Sequence, residues 1–287
     1  MTRISKIILF LVAFVPCVNA DEPIAIWPNL APGETTSKTG TQQPFRPNEE
    51  PPVVRVTDIT YPTMSYHPAK TPNGSAILIL PGGGFGKVVT NKEGSELAAI
   101  LNRHGYSAFV LSYRTKSPAD KNGWLKPLQD AQRAISLIRA NSEKWNVKSD
   151  RVGLVGFSAG GNVAARLLCG EGTKSYRKID ARDEHSSRPD FAMLIYPWNI
   201  YDAKNSCLTD KLKVPKTCPP TFIVHTDDDR STSLGAVQFY DELKMQSIPA
   251  AIHVYANGGH GYGTRHVKGS QVGNWPAAAT SWLKTLK

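Results

Sequence analysis

Apolar positions along the chain follow two alternating periods, and their order predicts the fold. Short β-rich runs at Val53–Thr57, Ile77–Leu80, Ser107–Ser112, Arg151–Val155, Phe191–Ile195, Thr221–His225 and Ile252–Tyr255 predict strands. Between them, three- and four-residue spacing predicts helices over Gly94–His104, Pro127–Asn141, Gly161–Leu168, Ser233–Gln246 and Pro276–Leu286. In the second of these, Leu128, Ala131, Ile135, Leu137 and Ile138 make one apolar stripe. Strands alternating with helices in this way imply a mostly parallel sheet, helices on both faces, and one α/β domain. Residues 21–52 are rich in Pro, Thr, Gly and Gln, so an extended arm is expected ahead of a domain over 53–287. The segment from Trp198 to Cys218 is too short for a large cap domain.

The first twenty residues break this pattern. Basic Arg3 and Lys6 precede an apolar run over Ile7–Val15, and Val18-Asn19-Ala20 supplies small residues for cleavage. That is the pattern of a secretory leader ending at Ala20, too short to span a membrane. Cys17 invites a lipid-anchor reading, which the preceding Pro16 fits poorly. A secreted or periplasmic protein with no stable membrane insertion is the expectation.

Charge and cysteine usage narrow the partners. The chain holds 34 basic and 24 acidic residues, a formal net charge of +10. Such an excess could attract an acidic polysaccharide or a membrane surface, but the basic residues are scattered and form no nucleic-acid motif, so a solvated basic surface is expected and no nucleic-acid partner. Cys207 and Cys218 share a polar, proline-bearing loop and could pair in an oxidising compartment, which would stabilise by about 3 kcal/mol. Cys169 reads as an apolar filler. Neither cysteine nor histidine spacing suits a metal, so no metal is expected.

The chemistry gathers at Gly156-Phe157-Ser158-Ala159-Gly160, between the strand Arg151–Val155 and the helix from Gly161. Small residues around a serine on such a turn let it adopt a strained backbone that lifts the hydroxyl clear of the sheet. A hydroxyl needs a base, and His260 lies in the glycine-rich Asn257–Gly263 loop just after the last strand. His225 ends a strand and reads as a structural neighbour; the other five histidines lack supporting context. An imidazole base wants a carboxylate behind it, and Asp227-Asp228-Asp229 follows the strand Thr221–His225. Spacing leaves the choice among the three open. The order serine, aspartate, histidine is that of strand-elbow hydrolases.

Pro81-Gly82-Gly83-Gly84-Phe85 follows an early strand, and bare amides of Gly83 and Gly84 could join that of Ala159 in holding an oxyanion. No Gly-Lys-Ser/Thr follows, which argues against a phosphate loop. Trp124, Trp198 and Tyr262 are candidates to line the mouth and stack on a sugar.

With these residues in view, the chain resembles the exported α/β-hydrolase esterases related to acetylxylan esterases. The resemblance is carried by Pro81–Phe85, Tyr113-Arg114, the run Pro127 to Ala134, Gly156–Gly161, Arg188-Pro189-Asp190-Phe191 and Gly259-His260-Gly261. Ile26-Trp27-Pro28, Trp275-Pro276 and Trp282 also fit. It implies an α/β-hydrolase fold without metal or cofactor and hydrolysis of small-molecule or polysaccharide esters. It also implies Ser158 as nucleophile, His260 as base and Asp229 as acid. The chain departs from the family pattern at Asn162 and at Thr232-Ser233, positions that bear on the acyl pocket. Two other functions share parts of this pattern. An oligopeptidase-like peptidase needs a large extra domain for which 287 residues leave no room. A carbohydrate-binding protein with lost chemistry would not need the full set of serine, histidine, acid and glycine loop.

Overall fold

A computed structural model describes residues 22–209 and 212–286; the leader read over 1–20 lies outside them. The strands in chain order are β1 (Ile24–Ala25), β2 (Thr41–Gln42), β3 (Arg55–Thr57), β4 (Thr63–His67), β5 (Ala76–Leu80), β6 (Val88–Val89) and β7 (Ser107–Ser112). They continue with β8 (Val152–Phe157), β9 (Phe191–Ile195), β10 (Tyr201–Asp202), β11 (Cys207–Leu208), β12 (Thr221–Thr226) and β13 (Ala250–Tyr255). The α-helices are α1 (Glu96–Arg103), α2 (Leu125–Ala140), α3 (Ala159–Cys169), α4 (Leu234–Met245) and α5 (Trp275–Leu283).

Eight strands form the central sheet in the order β1-β4-β7-β5-β8-β9-β12-β13. From β7 to β13 every pairing is parallel, while β1 and β4 add an antiparallel edge. Alternation along β5 divides the core: Leu78 and Leu80 face α2, α3 and α4, whereas Ile77 and Ile79 face α1 and α5. Because both faces are covered, the inner strands are apolar throughout, as parallel sheets require. No large cap covers the sheet edge: the described part of the Trp198–Cys218 segment holds only the β10–β11 ribbon. Among the described residues, no helix is long and apolar enough to cross a membrane.

Departures from expectation have local causes. Strand β4 went unpredicted because Thr63, Ser65 and His67 dilute its apolar signal, although Met64 and Tyr66 point inward. The run Val53–Thr57 forms only the short β3, which joins β2 and β6 in a small separate sheet. The helix expected from Gly94 is preceded by a π-helical turn over Asn91–Ser95, and α1 proper begins at Glu96. Cys207 and Cys218 are not joined: Cys207 is exposed on β11, whereas Cys218 is buried, its thiol pushed up to about 12 by burial. Cys169 packs half-buried against the core.

A buried polar network ties the N-terminal arm to α2. Asp130 accepts from the Trp27 indole at 2.8 Å, the Arg114 amide at 2.8 Å and the Arg114 Nε at 2.9 Å. Both side chains of the Arg114–Asp130 pair are fully buried. One helical turn on, Arg133 donates to the Ile26 carbonyl and to both oxygens of Asp180. Arg139, further along α2, holds Asp190, which in turn accepts from the Val152 amide at the start of β8.

Removing one member of a buried ion pair strands its partner, so Asp130→Ala should cost about 3–5 kcal/mol of unfolding free energy in urea titrations. A loss below about 1 kcal/mol would show that Arg114 is satisfied without it. The Arg133 guanidinium beside Asp180 holds that carboxyl well below the ordinary range. A lowered native value makes the contribution complete above about pH 4 and lost as pH falls through that native value. Asp180→Asn should therefore be less stable than the unaltered chain at about pH 7, with the gap closing below about pH 4.

Candidate active site

The site forms where the C-terminal ends of β5, β8, β12 and β13 release their loops. At the end of β8 the chain turns through Ser158, whose φ of 52° and ψ of −118° lie outside the regions open to most residues. Close packing makes this turn possible. A side chain on Gly160 would overlap the Leu80 carbonyl, and one on Gly161 would meet Pro197. Backbone hydrogen bonds clamp the turn on both sides, Ser158 N–H to Ile195 and Trp198 N–H to the Ser158 carbonyl.

Ser158 Oγ lies 2.7 Å from His260 Nε2, and His260 Nδ1 lies 2.6 Å from Asp229 Oδ2. Burial by itself would raise the Asp229 carboxyl. Hydrogen bonds from His260 and the Ser231 amide outweigh it and hold the group below its ordinary value. An ionised Asp229 only accepts, so Nδ1 carries the imidazole proton and Nε2 is left to accept from the Ser158 hydroxyl. Its two neighbours in sequence sit elsewhere. Asp228 accepts from the Gly258 and Gly259 amides at 3.1 and 2.8 Å, bracing the histidine loop, and Asp227 is exposed. His225 is fully buried 3.9 Å from Asp229, and burial pushes its imidazole down.

Ser158 and His260 open into a cavity of about 510 Å³, which Gly83, Gly84 and Trp198 also line. Gly83 adopts φ 139° and Gly84 φ 64°, and a side chain on Gly83 would run into the Lys87 backbone, so this loop requires glycine. Ala159 is the first residue of α3, where amides lack helical partners. The three expected aromatics divide. Trp198 faces the cavity and packs on Phe85 with ring centroids 5.7 Å apart. Trp124 does not line it and instead carries the Arg166 guanidinium 4.1 Å above its ring. Tyr262 is buried against Tyr196 at 4.4 Å, in the apolar layer beneath the site rather than at its mouth. Asn162 spans this region, donating to the Trp198 and Asn199 carbonyls and accepting from Arg166.

One residue escaped sequence reasoning. Glu93, in the π-helical turn, is buried and borders the same cavity as the serine. Its carboxyl accepts from the Gly82 amide at 2.7 Å and the Tyr196 hydroxyl at 2.9 Å, and burial raises it above the ordinary carboxylate range. Tyr196 in turn accepts from the Gly263 amide at 2.9 Å and packs edge-on against His260. Glu93 thus joins the glycine loop to the histidine loop. Its only sequence signal is a glutamate beside a glycine, eleven residues after Gly82. Among the described residues, no group of three or more His, Cys, Asp or Glu could hold a metal ion.

The BD-FAE family model matches residues 58–195. An acetylxylan esterase of Xylanibacter ruminicola is 27% identical over 218 residues, 68% of this chain and 42% of that protein. Endo-1,4-beta-xylanase B of Butyrivibrio fibrisolvens is 29% identical over 210 residues, 64% of this chain and 32% of that protein. The chain therefore spans less than half the length of either relative. The crystal structure of an acetyl ester-xyloside bifunctional hydrolase from Caldicellulosiruptor lactoaceticus superposes with a TM-score of 0.74 at 27% identity, covering 94% of this chain and 98% of that one. The chain has the α/β-hydrolase fold and is similar in sequence to an acetylxylan esterase.

Proposed function

We propose that the protein is a serine esterase that removes short acyl groups, chiefly acetyl, from carbohydrate esters such as acetylated xylan. The observation that carries this is the unbroken relay from Ser158 through His260 to Asp229, with contacts of 2.7 and 2.6 Å, opening on a cavity. The names of its relatives, an acetylxylan esterase and an acetyl ester-xyloside hydrolase, support the substrate class. Export belongs to the same proposal, supported by the leader-like sequence of residues 1–20.

In this mechanism Ser158 Oγ attacks the ester carbonyl while His260 Nε2 takes its proton. Asp229 keeps the imidazole in the tautomer that can do so and stabilises the imidazolium. Negative charge on the carbonyl oxygen falls to the amides of Gly83, Gly84 and Ala159, the last at a helix N-terminus that favours it. The sugar hydroxyl leaves with the proton from His260, and the same base then activates water to release acetate and restore Ser158. Glu93 touches no reacting atom; it is a positioning residue that holds Gly82, the start of the oxyanion loop, against the histidine loop.

The deciding experiment is hydrolysis of p-nitrophenyl acetate, butyrate and octanoate beside acetylated xylan. Turnover of the short esters and acetate release from xylan are expected, both abolished in Ser158→Ala with unchanged circular dichroism. Turnover retained by Ser158→Ala would overturn the assignment. Asp229→Asn should lower kcat at least about a hundredfold more than Asp227→Asn, because only Asp229 orients the base. Glu93→Ala should lower kcat about tenfold with KM for p-nitrophenyl acetate little changed, and Glu93→Gln should recover most of the loss. Equal losses in both Glu93 variants would assign the residue to stability alone.

A further inference from the structure

The cavity around Ser158 is ringed by positive charge that the chemistry above does not use. Arg46, Arg55, Lys87, Lys92 and Arg230 all line it, against only two carboxylates, Glu49 and Glu93. Both carboxylates are already engaged. Glu49 binds Arg55 through both oxygens, at 2.5 and 2.7 Å, and lies 3.8 Å from Arg46. Glu93 is turned inward to Gly82 and Tyr196, and burial favours its neutral form. Among the described residues, the side chains of Lys87, Lys92 and Arg230 make no hydrogen bond or close ion pair, and Lys92 feels Glu93, Glu49 and Glu96 only at longer range.

Lys87 and Lys92 come from the segment between β5 and α1, and Arg230 comes from the turn after β12. Lys87 packs against Gly83 in the oxyanion loop. Lys92 packs against Gly263 in the histidine loop and is half-buried. Arg230 directly follows Asp229 and is exposed. Converging cations repel one another, and a fold gains nothing in stability by leaving them unpaired. A nearby anion would relieve this. An acetyl group fills only a small part of a cavity of about 510 Å³, so the remaining volume and its charge face the alcohol side of the ester.

We infer that the preferred substrate is an ester on an anionic sugar, whose negative group is held by Lys87, Lys92 and Arg230 while Ser158 attacks a neighbouring acyl group. This inference rests on the esterase reading of the same site. A guanidinium offers a forked pair of donors that suits a carboxylate, and the two ammonium groups add point charges. A uronic acid carboxylate and a sulfate ester would both supply the anion.

The test compares kcat/KM for three acetylated substrates: neutral xylo-oligosaccharides, the same chains bearing glucuronic acid, and a sulfated oligosaccharide. The glucuronic acid substrate is expected to exceed the neutral one by about tenfold, a ratio that shrinks between about 20 and 500 mM NaCl. That ratio should fall to about one in Arg230→Ala combined with Lys87→Ala. A sulfated substrate that matches the uronic one would assign recognition to charge alone, and one that matches the neutral substrate would assign it to the carboxylate. Acidic and neutral sugars cleaved equally, with no effect of salt, would overturn the inference. Binding of the unreacted sugars to Ser158→Ala, measured by calorimetry, separates the two proposals. Preference for the acidic sugar without any turnover by the unaltered chain would leave the anion site standing and remove the esterase. Turnover of p-nitrophenyl acetate without such preference would do the reverse.

Discussion

Everything at the site depends on one strained turn. Ser158 is held at a positive φ only because the chain around it comes closer than side chains allow. Gly160 lies against the Leu80 carbonyl, so the start of α3 touches the end of β5. A side chain on Gly82 would come within 2.7 Å of the Ser158 Cβ and 2.6 Å of the Glu93 carboxyl. The elbow and the glycine loop are therefore packed as one unit. Donors fixed in this way need not reorganise when charge appears on a bound carbonyl, which is where such sites gain most of their effect.

The frame behind the site is polar as well as apolar. α2 shows both readings of one helix. Its stripe of Leu128, Ala131, Ile135 and Ile138 was legible because apolar spacing reports burial directly. Asp130, Arg133 and Arg139 on the same helix are equally buried, and no periodicity announces them. Asp130 and Arg133 entered only as family resemblance, in the run Pro127 to Ala134, and Arg139 not at all. Each member of the network needs a partner far away in sequence: Trp27 lies 103 residues before Asp130, and Asp190 lies 51 after Arg139. Pattern reads neighbours along the chain, whereas satisfaction of buried charge is a property of the folded whole.

The same distinction explains what was visible at the site. Ser158 and His260 stood out because each sits among glycines at the end of a predicted strand, a local signal. Asp229 could not be separated from Asp227 and Asp228 by spacing. In the fold, adjacent residues of one turn point to different tasks: Asp229 meets the imidazole, and Asp228 caps the Gly258 and Gly259 amides that carry it. Tyr262 misled for a related reason. An aromatic beside a catalytic-type histidine suggests a sugar platform, but Gly261 and Gly263 turn the loop so that the ring faces Tyr196. Glu93 carried no usable signal, because its importance lies wholly in what it touches.

Charge near the nucleophile adds one more constraint. The glycine loop, the histidine loop and the acid turn must each present backbone or an imidazole to the same few ångströms. Lys87 just past the glycine loop, Lys92 packed against the histidine loop from the π-helical turn, and Arg230 on the acid turn all line one cavity with Ser158. Such charge acts in two ways with different consequences. Stabilising an oxyanion would accelerate every ester alike, since every ester develops the same negative oxygen. Holding an anion on the sugar would accelerate only esters that bring one, and would do so through binding energy remote from the carbonyl. The oxyanion already has fixed amide donors from Gly83, Gly84 and Ala159 in the proposed mechanism, and backbone dipoles do not vary with the sugar. On that mechanism the side-chain cations would be the part of the site free to choose among alcohols.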